Sequence, residues 1–257
     1  NIICEKTGYG CPEIDFKELV LRDGDYYKKF SNKPFTGKIT GKTTGSFKNG
    51  KREGSWVHYY DNGQLQSKGN WKNGKQEGSS IEYHNNGKLK SKVNYKNGKI
   101  NGSWVHYYDN GQLKNKGDYK NGKINGSWIS YYDVGQLWKE GDYKNGKKDG
   151  SWVTYRDNGQ LWKEGDYKNG YREGLWVTYW KNGQLGSKGD YKNGKEEGSW
   201  VRYWDNGQLF YKGDYKNGKK NGSWVYYKED GTIIKSYTGQ IDEIIKWDLS
   251  NMTELIP

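Results

Sequence analysis

A glycine returns every 24 residues in this chain, at Gly54, Gly78, Gly102, Gly126, Gly150, Gly174, Gly198 and Gly222, with no insertion or deletion between them. A fixed period of this length marks a repeat architecture, in which each unit buries its apolar face only against its neighbours. One copy runs Gly150-Ser-Trp-Val-Thr-Tyr-Arg-Asp-Asn-Gly-Gln-Leu-Trp-Lys-Glu-Gly-Asp-Tyr-Lys-Asn-Gly-Tyr-Arg-Glu173. It reads as two strands, Trp-Val-x-Tyr and Gln-Leu through Asp-Tyr. Asp-Asn-Gly joins strands within a unit and Lys-Asn-Gly-Lys joins unit to unit. Asn and Gly tolerate the left-handed backbone that tight hairpins require. Connections this short make consecutive strands antiparallel neighbours. The expected fold is therefore all-β: an elongated antiparallel ribbon of 24-residue hairpin repeats, rising roughly 10 Å per repeat, with irregular N- and C-terminal caps.

If each Asp-Asn-Gly closes a three-residue turn with the glycine as bulge, side-chain alternation places Val153, Tyr155, Leu161, Gly165 and Tyr167 on one face. Trp152, Thr154, Arg156, Trp162 and Glu164 then share the other. This register collects the most regular apolar positions, and is the expectation carried to the structure. Gly165 in it makes room for an aromatic ring.

The core such a sheet needs is unusual. Only 31% of the 257 residues are hydrophobic, but 24 Tyr and 13 Trp bring the aromatic share to 16%. Aromatics bury a large area each, so a thin sheet is stabilised by few apolar positions. Low hydrophobicity with high charge is the signature of disorder, and the strict periodicity overrules it.

Outside the array, residues 1–13 read as an N-terminal leader. Residues 14–53 read as a cap: a hairpin over Glu18–Arg22 and Asp25–Phe30 turning at Asp23-Gly24, then a degenerate first repeat over Lys33–Phe47. The array proper spans 54–231. Residues 232–257 form a C-terminal cap and a tail (248–257) able to fold back or to donate a strand to another molecule. Cys4 and Cys11 are the only cysteines, and the only methionine is Met252. The cysteine pair reads as a disulfide of an exported protein whose signal segment has been removed, hence secreted or cell-surface. Zinc needs four ligands and finds none nearby. No run of 18 apolar residues exists to cross a membrane as a helix.

The unit Asn-Gly-Lys-x-x-Gly-x-Trp-x-x-Tyr-x-x-Asn-Gly-Gln-Leu, carried throughout residues 48–231, resembles the MORN-variant repeat of bacterial proteins often labelled YwqK-like antitoxins. Pro34-Phe-Thr-Gly37 resembles the start of such arrays. The resemblance implies an all-β hairpin ribbon and supplies no catalytic residues. Ser80 departs from it in place of the Trp, Val93 in place of the strand Gly, and Val134 in place of the turn Asn.

No catalytic chemistry is expected, nor any cofactor or metal. His58 and His106 lie two units apart, about 20 Å by strand spacing, and His84 occupies another position. Gly37-Lys-Ile-Thr-Gly-Lys-Thr43 has three residues between its glycines where a phosphate loop has four. No Ser-His-Asp pattern accompanies the Gly-Ser-Trp steps.

Two surface features remain. One is a basic column at the inter-unit turns: Lys72, Lys75, Lys96, Lys99, Lys120, Lys123, Lys144, Lys147, Lys192, Lys195, Lys216 and Lys219. The other is an aromatic set at variable positions: Trp138, Trp162, Trp180, Trp204 and Phe210. With a net charge of +12 the expected partners are acidic. The leading expectation is a non-enzymatic exported scaffold that self-associates end to end or binds protein. The alternatives are an adaptor for an acidic protein, and a binder of a polyanion, lipid headgroup surface or polysaccharide. Nucleic acid ranks lower, because Asp118, Asp142, Asp166, Asp190 and Asp214 run beside the lysines.

Overall fold

The computed structural model describes residues 12–237. The expected Cys4–Cys11 disulfide and the tail at 248–257 lie outside those residues. The chain divides into two compact units, residues 1–147 and 148–257.

The first unit opens on β1 (Glu13–Asp15), a 3-10 turn at Phe16–Glu18, and a hairpin of β2 (Leu19–Arg22) and β3 (Asp25–Lys28). That hairpin turns at Asp23 and Gly24, both at positive φ (51° and 81°). β4 (Gly37–Thr40) and β5 (Thr43–Lys48) follow as the degenerate repeat. The sequence did not announce that β1 pairs in parallel with β4, Ile14 opposite Ile39. Ile14, Leu19, Phe35, Ile39, Phe47 and Trp56 close a compact core there, and Phe47 is fully buried. From β6 (Lys51–Tyr59) and β7 (Leu65–Lys72) the unit becomes a regular meander of nine- and eight-residue strands through β13 (Leu137–Lys144). The second unit repeats the pattern from β14 (Lys147–Tyr155) and β15 (Leu161–Lys168) to β21 (Ile233–Tyr237).

Both turn chemistries act as their residues dictate. Lys168 faces Tyr171 across a two-residue turn with Asn169 at φ 53° and Gly170 at φ 90°, the doubly left-handed turn that Asn-Gly favours. Within the hairpin, the Arg156 amide donates to Gln160 O at 2.8 Å and the Gly159 amide to Arg156 O at 3.0 Å, with Gly159 at φ 82°. This is the expected three-residue turn with a glycine bulge, and Tyr155 faces Leu161 beyond it.

The faces nevertheless differ from expectation, because a second bulge follows at Trp162. Thr154 pairs with Lys163 rather than Trp162, so Val153 falls opposite Glu164 and Trp152 opposite Gly165, while Gly150 meets Tyr167. Directly opposed residues share a face, so Trp152, Gly165 and Tyr167 lie together and Val153 lies on the other side. The tryptophans form the core: Trp152, Trp176 and Trp224 are at most 3% exposed.

Each ring lies flat over the glycine of the preceding strand. A Cβ added at Gly165 would sit 2.4 Å from the Trp176 ring, and at Gly213 2.3 Å from Trp224. Between tryptophans stand the strand-end tyrosines, edge-on. Tyr167–Trp176, Tyr191–Trp200 and Tyr215–Trp224 have ring centroids 5.0, 5.1 and 4.9 Å apart, at interplanar angles of 83–87°. That geometry aligns ring edge with ring face and adds to simple burial. Burial, with the Tyr211 phenol next, pushes the Tyr215 phenol up to about 12. Cations cover the row: Lys148 over Trp152 at 3.8 Å, Arg172 over Trp176 at 4.5 Å and Lys220 over Trp224 at 4.6 Å.

One repeat breaks the row. Ser80 stands opposite Val93, and Val93 in turn faces Trp104. The valine is buried, and its side chain occupies the bed on which Trp104 would lie. Trp104 instead stacks on Trp128 at 5.4 Å and 17°. Trp128 Nε1 donates to Ser130 Oγ, where Trp176, Trp200 and Trp224 donate to backbone carbonyls ten residues back.

Candidate binding surfaces

The strands place the two turn types on opposite long edges of each unit. On the inter-repeat edge the lysines face one another across the turns: Lys72 opposite Lys75, Lys96 opposite Lys99 and Lys120 opposite Lys123 in the first unit, Lys192 opposite Lys195 and Lys216 opposite Lys219 in the second. These lysines, with Lys144 and Lys147, are exposed. Like charges directly opposite destabilise a hairpin. Among the described residues, none of the twelve forms an ion pair, whereas Lys51 of the first turn reaches Asp25 at 2.5 Å.

The neighbouring acidic position is engaged with backbone. Glu53 Oε2 accepts from the Asn73 amide and Glu77 Oε2 from Asn97, both at 2.8 Å. Asp149, Glu173 and Glu197 do the same for Asn169, Asn193 and Asn217. Each such side chain therefore fixes the turn of the following repeat, a role that Asn101 and Asn125 fill without charge.

The opposite edge carries a ladder that sequence reading missed. The residue after each first strand donates from its side chain to a carbonyl 23 residues on. Tyr60 reaches Tyr83 O at 2.8 Å, His84 Nε2 reaches Tyr107 O at 3.1 Å, and Tyr108 reaches Tyr131 O at 3.0 Å. In the second unit Arg156, Trp180 and Trp204 reach Tyr179 O, Tyr203 O and Tyr227 O. Tyr, His, Arg and Trp look unrelated at one position until their shared capacity to donate is noticed.

This places the five aromatic candidates. Trp180 and Trp204 are rungs of the ladder, with their nitrogens satisfied. Trp162 is the bulge residue itself, 38% exposed, with Lys163 over its ring at 4.2 Å and Arg156 at 5.5 Å. Phe210, at the equivalent position two repeats on, packs on Trp204 at 4.2 Å, and Arg202 lies about equally far from Trp180 and Phe210, 5.8 and 6.0 Å. In the first unit Trp138 is 36% exposed, against Tyr132 at 5.8 Å and under Lys139 at 4.0 Å. Each unit thus presents aromatic rings flanked by cations along its Asp-Asn-Gly edge.

His58 and His106 are half-buried on the tryptophan face. Desolvation, then Arg52, lowers the pKa of His58. Desolvation, then Lys114 and Lys90, lowers that of His106. A depressed histidine favours the neutral form in the fold, so its contribution is present above the ordinary value of about 6.5 and is lost as pH falls below it. Melting temperature should therefore fall between about pH 7.5 and about pH 5.5. The double substitution His58→Thr and His106→Thr, which copies Thr154 and Thr178, should flatten that slope; an unchanged slope would assign it elsewhere.

Among the described residues no group of three His, Cys, Asp or Glu side chains is placed to hold a metal ion, and no helix is long and apolar enough to cross a membrane. No curated protein matches the chain. Solved structures similar to it include the TcdB2–TccC3–Cdc42 complex, 12% identical, with 88% of this chain and 15% of that chain covered at a TM-score of 0.21. The TcdB2–TccC3 complex is 13% identical, with 72% and 14% covered at 0.16. The chain thus spans a small part of the length of either. The profile of the MORN repeat variant matches seven consecutive segments: 52–73, 76–97, 100–121, 124–145, 148–169, 172–193 and 196–217. All of those segments but 76–97 hold the tryptophan and a strand glycine, and together they make up more than half of the sequence: the chain belongs to the MORN repeat variant family.

Proposed function

We propose that this chain is a non-enzymatic, exported scaffold that works by contact, through a surface shared with a second copy of itself or with another protein. The observation that carries this reading is the cation-flanked aromatic edge, Trp162 with Arg156 and Lys163, and Trp204 with Phe210 and Arg202. Tryptophan and arginine dominate the energetic centres of protein interfaces, and the fold does not require an aromatic at the bulge, where other repeats carry Gln66, Lys90 or Gly186. Light scattering across concentration is the test. The native chain should grow in mass with concentration, and the double variant Trp162→Ser, Phe210→Ser should grow less. A constant monomeric mass would remove the second copy and leave a different protein as the partner.

A second reading rests on the unpaired lysine column: a polyanion, lipid headgroup surface or polysaccharide lying along the inter-repeat edge. Steep loss of binding with salt would be its sign.

A further inference from the structure

Apart from Val134, the irregularities of the array named above fall within residues 70–101. Asn70 and Asn94 stand where later repeats carry Asp118, Asp142, Asp166, Asp190 and Asp214. Lys88 replaces the turn glutamine, and Asn85 replaces the turn aspartate of the flanking repeats. The stretch holds seven lysines against two glutamates, whereas the equivalent stretch four repeats on, 166–197, holds six cations against five carboxylates. Both glutamates are occupied: Glu77 Oε2 accepts from the Asn97 amide, and Glu82 meets Lys90 at 3.5 Å and Ser91 at 3.3 Å. Lys90 is thus paired, and among the described residues the other six lysines of the segment form no ion pair.

The same segment holds an open groove of about 570 Å³, lined by Glu53, Asn70, Lys72, Glu77, Lys96 and Asn101. Gly54 and Gly78 also border it, and a Cβ built on either would meet no atom within 4 Å. We infer that this groove receives an acidic peptide segment of a partner protein, an inference that rests on the scaffold reading above. Lys72 and Lys96 meet its carboxylates, the second oxygens (Oε1) of Glu53 and Glu77 accept from its backbone N–H groups, and the asparagine amides take its C=O groups. A uniformly charged polymer such as polyphosphate would set anions against Glu53 and Glu77 and bring them no N–H or hydroxyl donor. A peptide with spaced carboxylates satisfies both signs.

The period of the chain provides its own control, because Lys72, Lys96 and Lys99 recur four repeats later as Lys168, Lys192 and Lys195. All six are exposed, so glutamine at either set removes the same charge from matched turns. Binding of a short labelled peptide alternating Glu with Ser would be read by anisotropy on the full chain, with polyphosphate as competitor. K72Q/K96Q/K99Q should weaken binding by about tenfold or more, and K168Q/K192Q/K195Q by less than about twofold. Equal losses in the two variants, no binding by the native chain, or displacement by polyphosphate at lower charge concentration than by unlabelled peptide would each overturn the assignment. Light scattering on the same samples reads self-association separately, so a failed groove and a failed scaffold are told apart.

Discussion

Gly189→Ala is expected to destabilise the array by about 2–3 kcal/mol through overpacking, lowering the melting temperature by about 5–10 °C. A single methyl has this effect because the added Cβ would stand 2.2 Å from the Trp200 ring. That ring cannot step aside, since Tyr191 and Tyr215 hold its two sides at 5.1 and 5.9 Å and its nitrogen is bonded to Asp190 O. Gly69→Ala is the matched control. Its Cβ would meet only Ser80, nearest at the Oγ at 3.1 Å, and its cost should be well under half as large. Thermal unfolding of the two variants decides the matter. Equal midpoints would mean that the tryptophan bed is not what fixes the glycine.

The second large effect is a coupling. Val93→Gly alone removes a buried valine and should cost about 2 kcal/mol. Ser80→Trp alone lays a ring on Gly69 but crowds Val93 directly opposite it, and should cost about 1–3 kcal/mol. Together they relieve that crowding and complete the row, with Gly69 under residue 80 and residue 93 under Trp104, and the double variant should recover at least about 1 kcal/mol relative to the sum of the single losses. Trp104 would also be free to lie down on residue 93, which separates it from Trp128. The circular dichroism couplet of that stacked pair should therefore disappear in the double variant. Strictly additive losses with an intact couplet would show that the two departures are unrelated.

The repeat, both turn types and the antiparallel order could be read from Asn-Gly and Gly spacing, because those residues act locally through backbone sterics. The face of each side chain could not. The bulge at Trp162 and its equivalents has no constant residue to announce it, since only Gly186 among them is a glycine, and a single extra residue inverts every assignment beyond it. A signal was nevertheless present: the one repeat that loses its tryptophan, at Ser80, also loses its strand glycine, at Val93. Read as a pair, that exchange of volume places the two positions side by side. The hydrogen-bonding ladder escaped because it conserves a function of the side chain rather than its shape. The parallel strand at Glu13–Asp15 escaped because three residues leave no periodic pattern. The basic column was legible in the sequence. Its lack of ion pairs was not, since that depends on Glu53 and Glu77 turning toward backbone amides.

The 23-residue reach of the Tyr60, His84, Tyr108, Arg156, Trp180 and Trp204 rungs sets a rule for how such a chain can change. A rung needs only the next copy, so whole units can be gained or lost by duplication and deletion without any distant residue having to adjust. A change of one or two residues inside a unit has no such freedom. It would carry the donor that spans it past its carbonyl and the adjoining tryptophan off its glycine. Length is thus an inheritable variable of this fold, but only in steps of 24.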